Sequence, residues 1–144
     1  LKGRGGALLR EKLVALDSLR VLLIVDESKI VERLGPVVPV EVVPFAWHIP
    51  HQELEALGFQ AQLRHDSESG RRFVTDNGNF IFDVETGPID DPRLLATEIK
   101  QITGVVEHGL FIDMVDEVIV AGPNGVRNLS APTAATAVPT TQSH

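Results

Sequence analysis

An α/β fold in two parts is what this 144-residue sequence predicts: a partial Rossmann-like parallel sheet joined to a ferredoxin-like α+β subdomain. Three observations carry that expectation. Val21-Leu22-Leu23-Ile24-Val25 is apolar without alternation, the pattern of a central strand covered on both faces, as in a parallel sheet. Between Pro39 and Phe111 the strand-like and helix-like stretches follow the order βαββαβ, that of a split-βαβ unit. A glycine-rich loop, Lys2-Gly3-Arg4-Gly5-Gly6, runs directly into a helical pattern ahead of the first strand.

In chain order, Leu9, Leu13 and Leu16 follow helical spacing and predict a helix over Ala7 to Leu16. The strand Val21 to Val25 is closed by Asp26, and Asp26-Glu27-Ser28-Lys29 forms the loop beyond its carboxyl end, where open α/β sheets bind ligands. Gly35-Pro36 and Pro39 then break the chain. Val40 to Phe45 reads as a strand. Pro50 to Leu57 reads as a short helix stopped by Gly58, with Pro50 suited to a first turn. Phe59 to Arg64 is a strand, and the polar stretch Asp66 to Arg72 a turn. Phe73-Val74-Thr75 and Phe80-Ile81-Phe82 flank Asp76-Asn77-Gly78-Asn79, a hairpin signal because Asn and Gly accept positive φ. Asp90-Asp91-Pro92 starts a helix to about Ile102, with Leu94, Leu95, Ile99 and Ile102 on one face. Val105 to Phe111 and Glu117 to Ala121 are strands. The expected division assigns residues 1–35 and 116–129 to the α/β part and 36–115 to the ferredoxin-like part. Residues 130–144, rich in Ala, Thr, Pro and Ser, read as a disordered tail.

Composition narrows the function. Apolar residues make up 43% of the chain, enough for a real core, and charged residues 23%. A net charge of -7 argues against a nucleic-acid partner, which needs a basic patch to replace counterions. The absence of cysteine excludes disulfides, thiolate chemistry and cysteine-ligated zinc, and fits a reducing compartment. The longest apolar run, Val21 to Val25, is far too short to span a bilayer as a helix, so no membrane partner is expected. Leu1-Lys2-Gly3-Arg4 has no signal-peptide layout and opens within a motif, as a piece of a longer protein would.

Three places could carry chemistry. The glycine loop feeding a helix can bind an anion through backbone N–H groups, with Lys2 and Arg4 adding positive charge; a plain tight turn is the other reading. Glu11 has Ala7, Leu8, Val14 and Ala15 as helical neighbours. A carboxylate among apolar neighbours is desolvated, which prepares a general base, whereas the pattern alone favours Arg10-Glu11-Lys12 as a charged surface strip. Lys29, past the apolar strand, could hold a phosphate or a developing oxyanion, or be one more surface lysine. His48 and His51 lack a third ligand of matching spacing, so no metal is expected there. His108 reads as a hydrogen-bonded core or interface histidine, and Trp47 as a packing residue.

Taken together the motifs favour one family. Lys2-Gly3-Arg4-Gly5-Gly6-Ala7-Leu8-Leu9-Arg10-Glu11-Lys12 resembles the Lys-Gly-x-Gly-Gly-Ala-Leu-x-Arg-Glu-Lys segment of type A ribose-5-phosphate isomerases. Val25-Asp26-Glu27-Ser28-Lys29, Pro39-Val40-Glu41-Val42-Val43-Pro44, Val74-Thr75-Asp76-Asn77-Gly78-Asn79 and Gly104 to Phe111 are similar to further segments of that family, in the same order. The likeness runs from Leu1 to about Val126.

The resemblance implies interconversion of ribose 5-phosphate and ribulose 5-phosphate by proton transfer through an enediol, in the non-oxidative pentose phosphate pathway. It implies no metal, no organic cofactor, and a cytoplasmic homodimer or tetramer. It makes Glu11 the catalytic base, Lys2 a substrate contact beside the loop of Gly3, Arg4 and Gly5, and Lys29 a contact near the phosphate end. The family's Gly-Ser-Thr and Asp-Gly-Ala-Asp-type segments lie upstream of the lysine-glycine loop and are not in this sequence, so the 144 residues alone are expected to be poorly active. The rival expectations are a non-catalytic sugar-phosphate-binding module, an amino-sugar-phosphate deaminase, and an inactive fragment kept as an assembly surface.

Overall fold

The computed structural model describes residues 1–131. Its elements are α1 (Leu8–Leu16), β1 (Leu22–Asp26), β2 (Val37–Val42), α2 (His48–Ala56), β3 (Gln60–Leu63), β4 (Phe80–Glu85), α3 (Pro92–Gln101), β5 (Val105–His108), β6 (Glu117–Gly122) and β7 (Gly125–Ser130). A single 3-10 turn, Glu27–Lys29, follows β1.

One sheet has the order β1-β6-β7. β1 runs parallel to β6, from Leu22 opposite Glu117 to Asp26 opposite Ala121, as the unbroken apolar run suggests. The expected cover on both faces is a different matter. Ile24 is 77% exposed, and β1 pairs only with β6 among the described residues. β7 has no counterpart in the sequence reading. It returns antiparallel to β6 through Pro123-Asn124-Gly125, with Gly125 at φ +113, so a second Asn-Gly signal sits at that turn. Ser130 pairs with Glu117 and is therefore strand; the tail expected to be disordered otherwise lies, from residue 132 on, outside the described residues.

The other sheet has the order β3-β4-β2-β5, and all three of its pairings are antiparallel. With α2 and α3 this is the βαββαβ order read from the sequence. Its core forms where Val38, Val40 and Val42 of β2 and Phe82 and Val84 of β4 meet Leu54 of α2 and Leu95 and Ile99 of α3. Each of these side chains contributes up to roughly 1.5–3 kcal/mol on burial. Asp91 caps α3 by accepting from the N–H groups of Arg93 and Leu94, at 3.1 and 3.0 Å, and Pro92 occupies the first turn.

Other elements also depart from expectation, among them β5, which ends at His108 rather than Phe111. β2 starts at Val37 rather than Val40, because the β-branched pair Val37-Val38 extends it through Pro39; Phe45, taken as its end, is outside the strand and exposed. Phe73 to Thr75 is not a strand. The Thr75 hydroxyl accepts from the N–H groups of Asn77 and Asn79, at 3.3 and 3.1 Å, so the 75–79 segment closes on itself instead of pairing as a ladder. In α1 the stripe Leu9, Leu13, Leu16 is not the buried face: Leu13 and Leu16 are 55% and 68% exposed, while Leu8 and Lys12 are buried. Those two lie one turn apart and pack against the face of the four-stranded sheet opposite α2 and α3, near Pro39 and Ile81.

Candidate active site

The lysine-glycine loop is fixed from its backbone. The Lys2 N–H donates to Gly109 O at 2.8 Å, and the Gly109 N–H donates to Pro39 O at 2.8 Å, so the loop is stitched to the chain just past β5 and through it to Pro39 within β2. Gly3 has φ +102, and the Gly6 N–H donates to Gly3 O at 3.0 Å, closing the turn that enters α1. At Gly6 a Cβ would stand 2.3 Å from the Phe73 ring, so only glycine allows the ring to abut the loop. The α1 N-terminus has no side-chain cap, which leaves its first amides available.

Glu11 lies in the first turn of α1, where the helix dipole favours a carboxylate. Its Oε1 is 3.2 Å from Lys2 Nζ, with the two side chains 39% and 31% exposed. The sequence reading surrounded Glu11 with apolar neighbours. In the structure Leu8 turns into the sheet and Val14 faces solvent, so Lys2 rather than an apolar shell is the group at the carboxylate. Arg10 ties the same helix to the 75–79 segment, donating through Nε to Asn77 Oδ1 and through Nη2 to Asp76 O, both at 3.2 Å.

Beneath Glu11 the helix is anchored by Lys12. Its ammonium donates to Glu107 Oε1 and His108 O at 2.7 Å and to Leu110 O at 3.1 Å, and lies 5.0 Å from the Phe111 ring centroid. Burial pushes the Lys12 ammonium below its usual range, partly offset by Glu107. Burial works against ionisation of Glu107, yet hydrogen bonds from Lys12, the His108 amide and Lys100 together hold its carboxyl below the ordinary value. His108 is pushed down to about 4 by burial first and the Lys12 charge second; its Nδ1 accepts from the Leu110 N–H at 3.2 Å, as a neutral ring does. Glu41, fully buried on β2, accepts from the Thr75 hydroxyl and Asn79 Nδ2 at 2.9 Å each.

Lys29 stands apart from this group. It ends the 3-10 turn after β1 and is exposed, and no hydrogen bond or ion pair joins it to Lys2 or Glu11 among the described residues. Its loop is held by Asp26, whose carboxylate accepts from the Ser28 hydroxyl and amide and is kept below the usual carboxylate range by them. His51 is engaged with Ala61 O at 3.0 Å, and no cluster of three or more metal-ligating side chains occurs among the described residues. Trp47 packs on Phe82 and His51, and His108 lies in the interior, in the roles read for them.

Fold and site together define an α/β protein in which a glycine loop at a helix N-terminus faces an ion-paired carboxylate one turn into that helix. The family model of ribose 5-phosphate isomerase A (phosphoriboisomerase A) matches residues 1–125. The chain belongs to that family. It is 50% identical over 131 residues to ribose-5-phosphate isomerase A of Synechococcus sp. (strain JA-3-3Ab), covering 90% of this chain and 56% of the relative. To the enzyme of that name from Thermomicrobium roseum it is 51% identical over 131 residues, covering 90% and 55%. Among solved structures, ribose 5-phosphate isomerase A from Methanocaldococcus jannaschii superposes with a TM-score of 0.84 at 39% identity, covering 91% of this chain and 58% of that one. A D-ribose-5-phosphate isomerase in complex with phospho-erythronic acid gives 0.85 at 40% identity, with 91% and 58% covered. The chain thus spans just over half the length of the curated relatives it matches.

Proposed function

We propose that the protein interconverts ribose 5-phosphate and ribulose 5-phosphate by proton transfer through an enediol, as a step of the pentose phosphate pathway. The observation that carries this reading is the Lys2–Glu11 pair, 3.2 Å apart, beside the glycine loop. In this reading Glu11 takes the proton from C2 of the open-chain aldose. The C–H electron pair becomes the C1–C2 double bond, and the C1 carbonyl oxygen takes up negative charge. Delivery of a proton to C1 from Glu11, whose 39% exposed carboxyl exchanges its proton with solvent, and transfer of the O2 proton to O1 give the ketose. A positioned base contributes about 10²–10⁴-fold. The Lys2 ammonium and the amides of the Gly3-Arg4-Gly5 loop supply the positive field for the enediolate. Lys29, at the carboxyl end of β1, serves the phosphate end of the substrate.

The same proposal takes residues 1–35 and 116–129 as the part of the α/β domain present in this chain and 36–115 as the ferredoxin-like unit. It includes a homo-oligomer acting in the cytoplasm. The exposed apolar side chains of α1 and β1, Leu13, Leu16, Leu22 and Ile24, support further chain packing against this surface. The test is a conversion assay on ribose 5-phosphate with the mass-verified protein beside Glu11→Gln. Conversion abolished by the substitution supports the reading, and conversion that survives it removes Glu11 from the chemistry.

A further inference from the structure

We infer that Arg64 is a positioning residue that aims the Arg4 and Gly5 amides of the glycine loop at the oxyanion of the enediolate, an inference that rests on the isomerase reading above. Arg64 follows β3 and is nearly enclosed, its side chain 14% exposed. Its backbone is pinned, with its N–H donating to Ile81 O at 2.8 Å and its carbonyl accepting from the Phe73 N–H at 2.9 Å. Its guanidinium divides its donors between two tasks. Nε and Nη2 bind both oxygens of Asp83, at 2.8 and 2.5 Å, a bidentate grip that fixes the plane of the group. Nη1 donates to Gly3 O at 2.9 Å and to Arg4 O at 3.0 Å. The Phe73 ring, 5.8 Å from the guanidinium, supports it and also abuts Gly6.

The consequence is geometric. In a trans peptide the C=O and the following N–H point in opposite directions. With the Gly3 and Arg4 carbonyls both turned toward Arg64, the N–H groups of Arg4 and Gly5 are turned away from it. Those two residues are exposed, and their amides have no hydrogen-bond partner among the described residues. Two successive free amides aimed to one side form a nest for an anionic oxygen. Arg64 touches no reacting atom; it prevents the peptide flips that would disperse the nest. Lysine cannot replace it, because an ammonium has three donors and no fork, while four hydrogen bonds are made here.

The test compares Arg64→Met, Arg64→Lys and Asp83→Asn with the unaltered full-length protein and Glu11→Gln. It measures kcat and KM for ribose 5-phosphate, inhibition by phospho-erythronic acid, and thermal unfolding. Phospho-erythronic acid is one carbon shorter than the substrate, so counted from the phosphate its carboxylate carbon sits at C2 and its charged oxygens lie beside the C1–C2 unit on which the enediolate forms; its binding therefore reports on the nest. Loss of one oxyanion donor costs about 10²–10³-fold. Arg64→Met is therefore expected to lower kcat by at least about 10²-fold, to weaken the inhibitor in parallel and to leave KM nearly unchanged, with Arg64→Lys only partly restoring kcat. Asp83→Asn keeps the guanidinium but loosens its grip; its expected smaller fall in kcat carries the test if Arg64→Met does not fold. Full kcat in a folded Arg64 variant, or a raised KM with kcat intact, overturns the inference while leaving the isomerase reading standing. No turnover by the unaltered protein overturns both.

Discussion

Replacing Gly109 by alanine tests the attachment of the loop to the sheet. Gly109 lies just past β5, and a Cβ there would stand 2.1 Å from Lys2 O and 3.0 Å from Pro39 Cδ. Real Cβ contacts stay beyond 3.0 Å, so the Lys2 carbonyl has to retreat by about 0.9 Å. The obstacle is backbone, not the end of a flexible side chain, and the same strand holds Lys2 through its 2.8 Å bond to Gly109 O. Gly109 has an ordinary φ, so the change adds no backbone strain of its own. The displacement therefore falls on Lys2 and, through the 3.2 Å pair, on Glu11. A misplacement of about 1 Å costs on the order of 10²-fold in rate. Steady-state isomerisation kinetics with circular dichroism as the folding control measures it. A folded Gly109→Ala protein with unchanged kcat would refute the idea that this attachment sets the geometry of the pair.

Other outcomes follow from the same structure. Glu11→Gln is expected to lower turnover by at least about 10²–10⁴-fold without changing stability, read by kinetics and thermal unfolding. Lys12→Met strands a buried carboxylate and two carbonyls, and urea unfolding should show a loss of about 3–5 kcal/mol, toward the lower end because Lys100 still reaches Glu107 Oε2 at 3.1 Å. His108 titrates at about 4 in the folded chain against about 6.5 when unfolded, so the unfolded state binds more protons between those values. Stability is thus expected to be full above pH 6.5 and to decline as pH falls toward 4, and His108→Gln should flatten that part of the curve in urea titrations across pH. Thr75→Val, which removes the hydroxyl that donates to buried Glu41 and accepts from two amides, should cost about 1–3 kcal/mol by the same method.

The sequence revealed the elements better than their faces. The βαββαβ order and the parallel partnership of β1 follow from local apolar runs and caps, such as Asp91-Pro92, which act within a few residues. Which face of α1 is buried depends on partners about a hundred residues away. Lys12 is interior only because Glu107, His108 O and Leu110 O meet it, and a helical wheel scores it as polar surface. The exposed β1 defied a rule that treats an apolar run as already covered. That Lys2, the glycines and Glu11 lie close together was legible because they sit on one loop and one helical turn. Arg64 and Asp83 were not, since each looks like an ordinary polar strand-end residue until the sheet sets them under the loop. The 124–125 turn was readable from its Asn-Gly pair.

Proton transfer by Glu11 can be followed by isomerising ribose 5-phosphate in deuterium oxide and reading the product by proton NMR. Carbon-bound deuterium is expected at C1 of the ribulose 5-phosphate formed by the full-length protein, and no labelled product from Glu11→Gln. Conversion that carries no solvent deuterium onto carbon, or labelled product from the Glu11→Gln protein, would contradict that role.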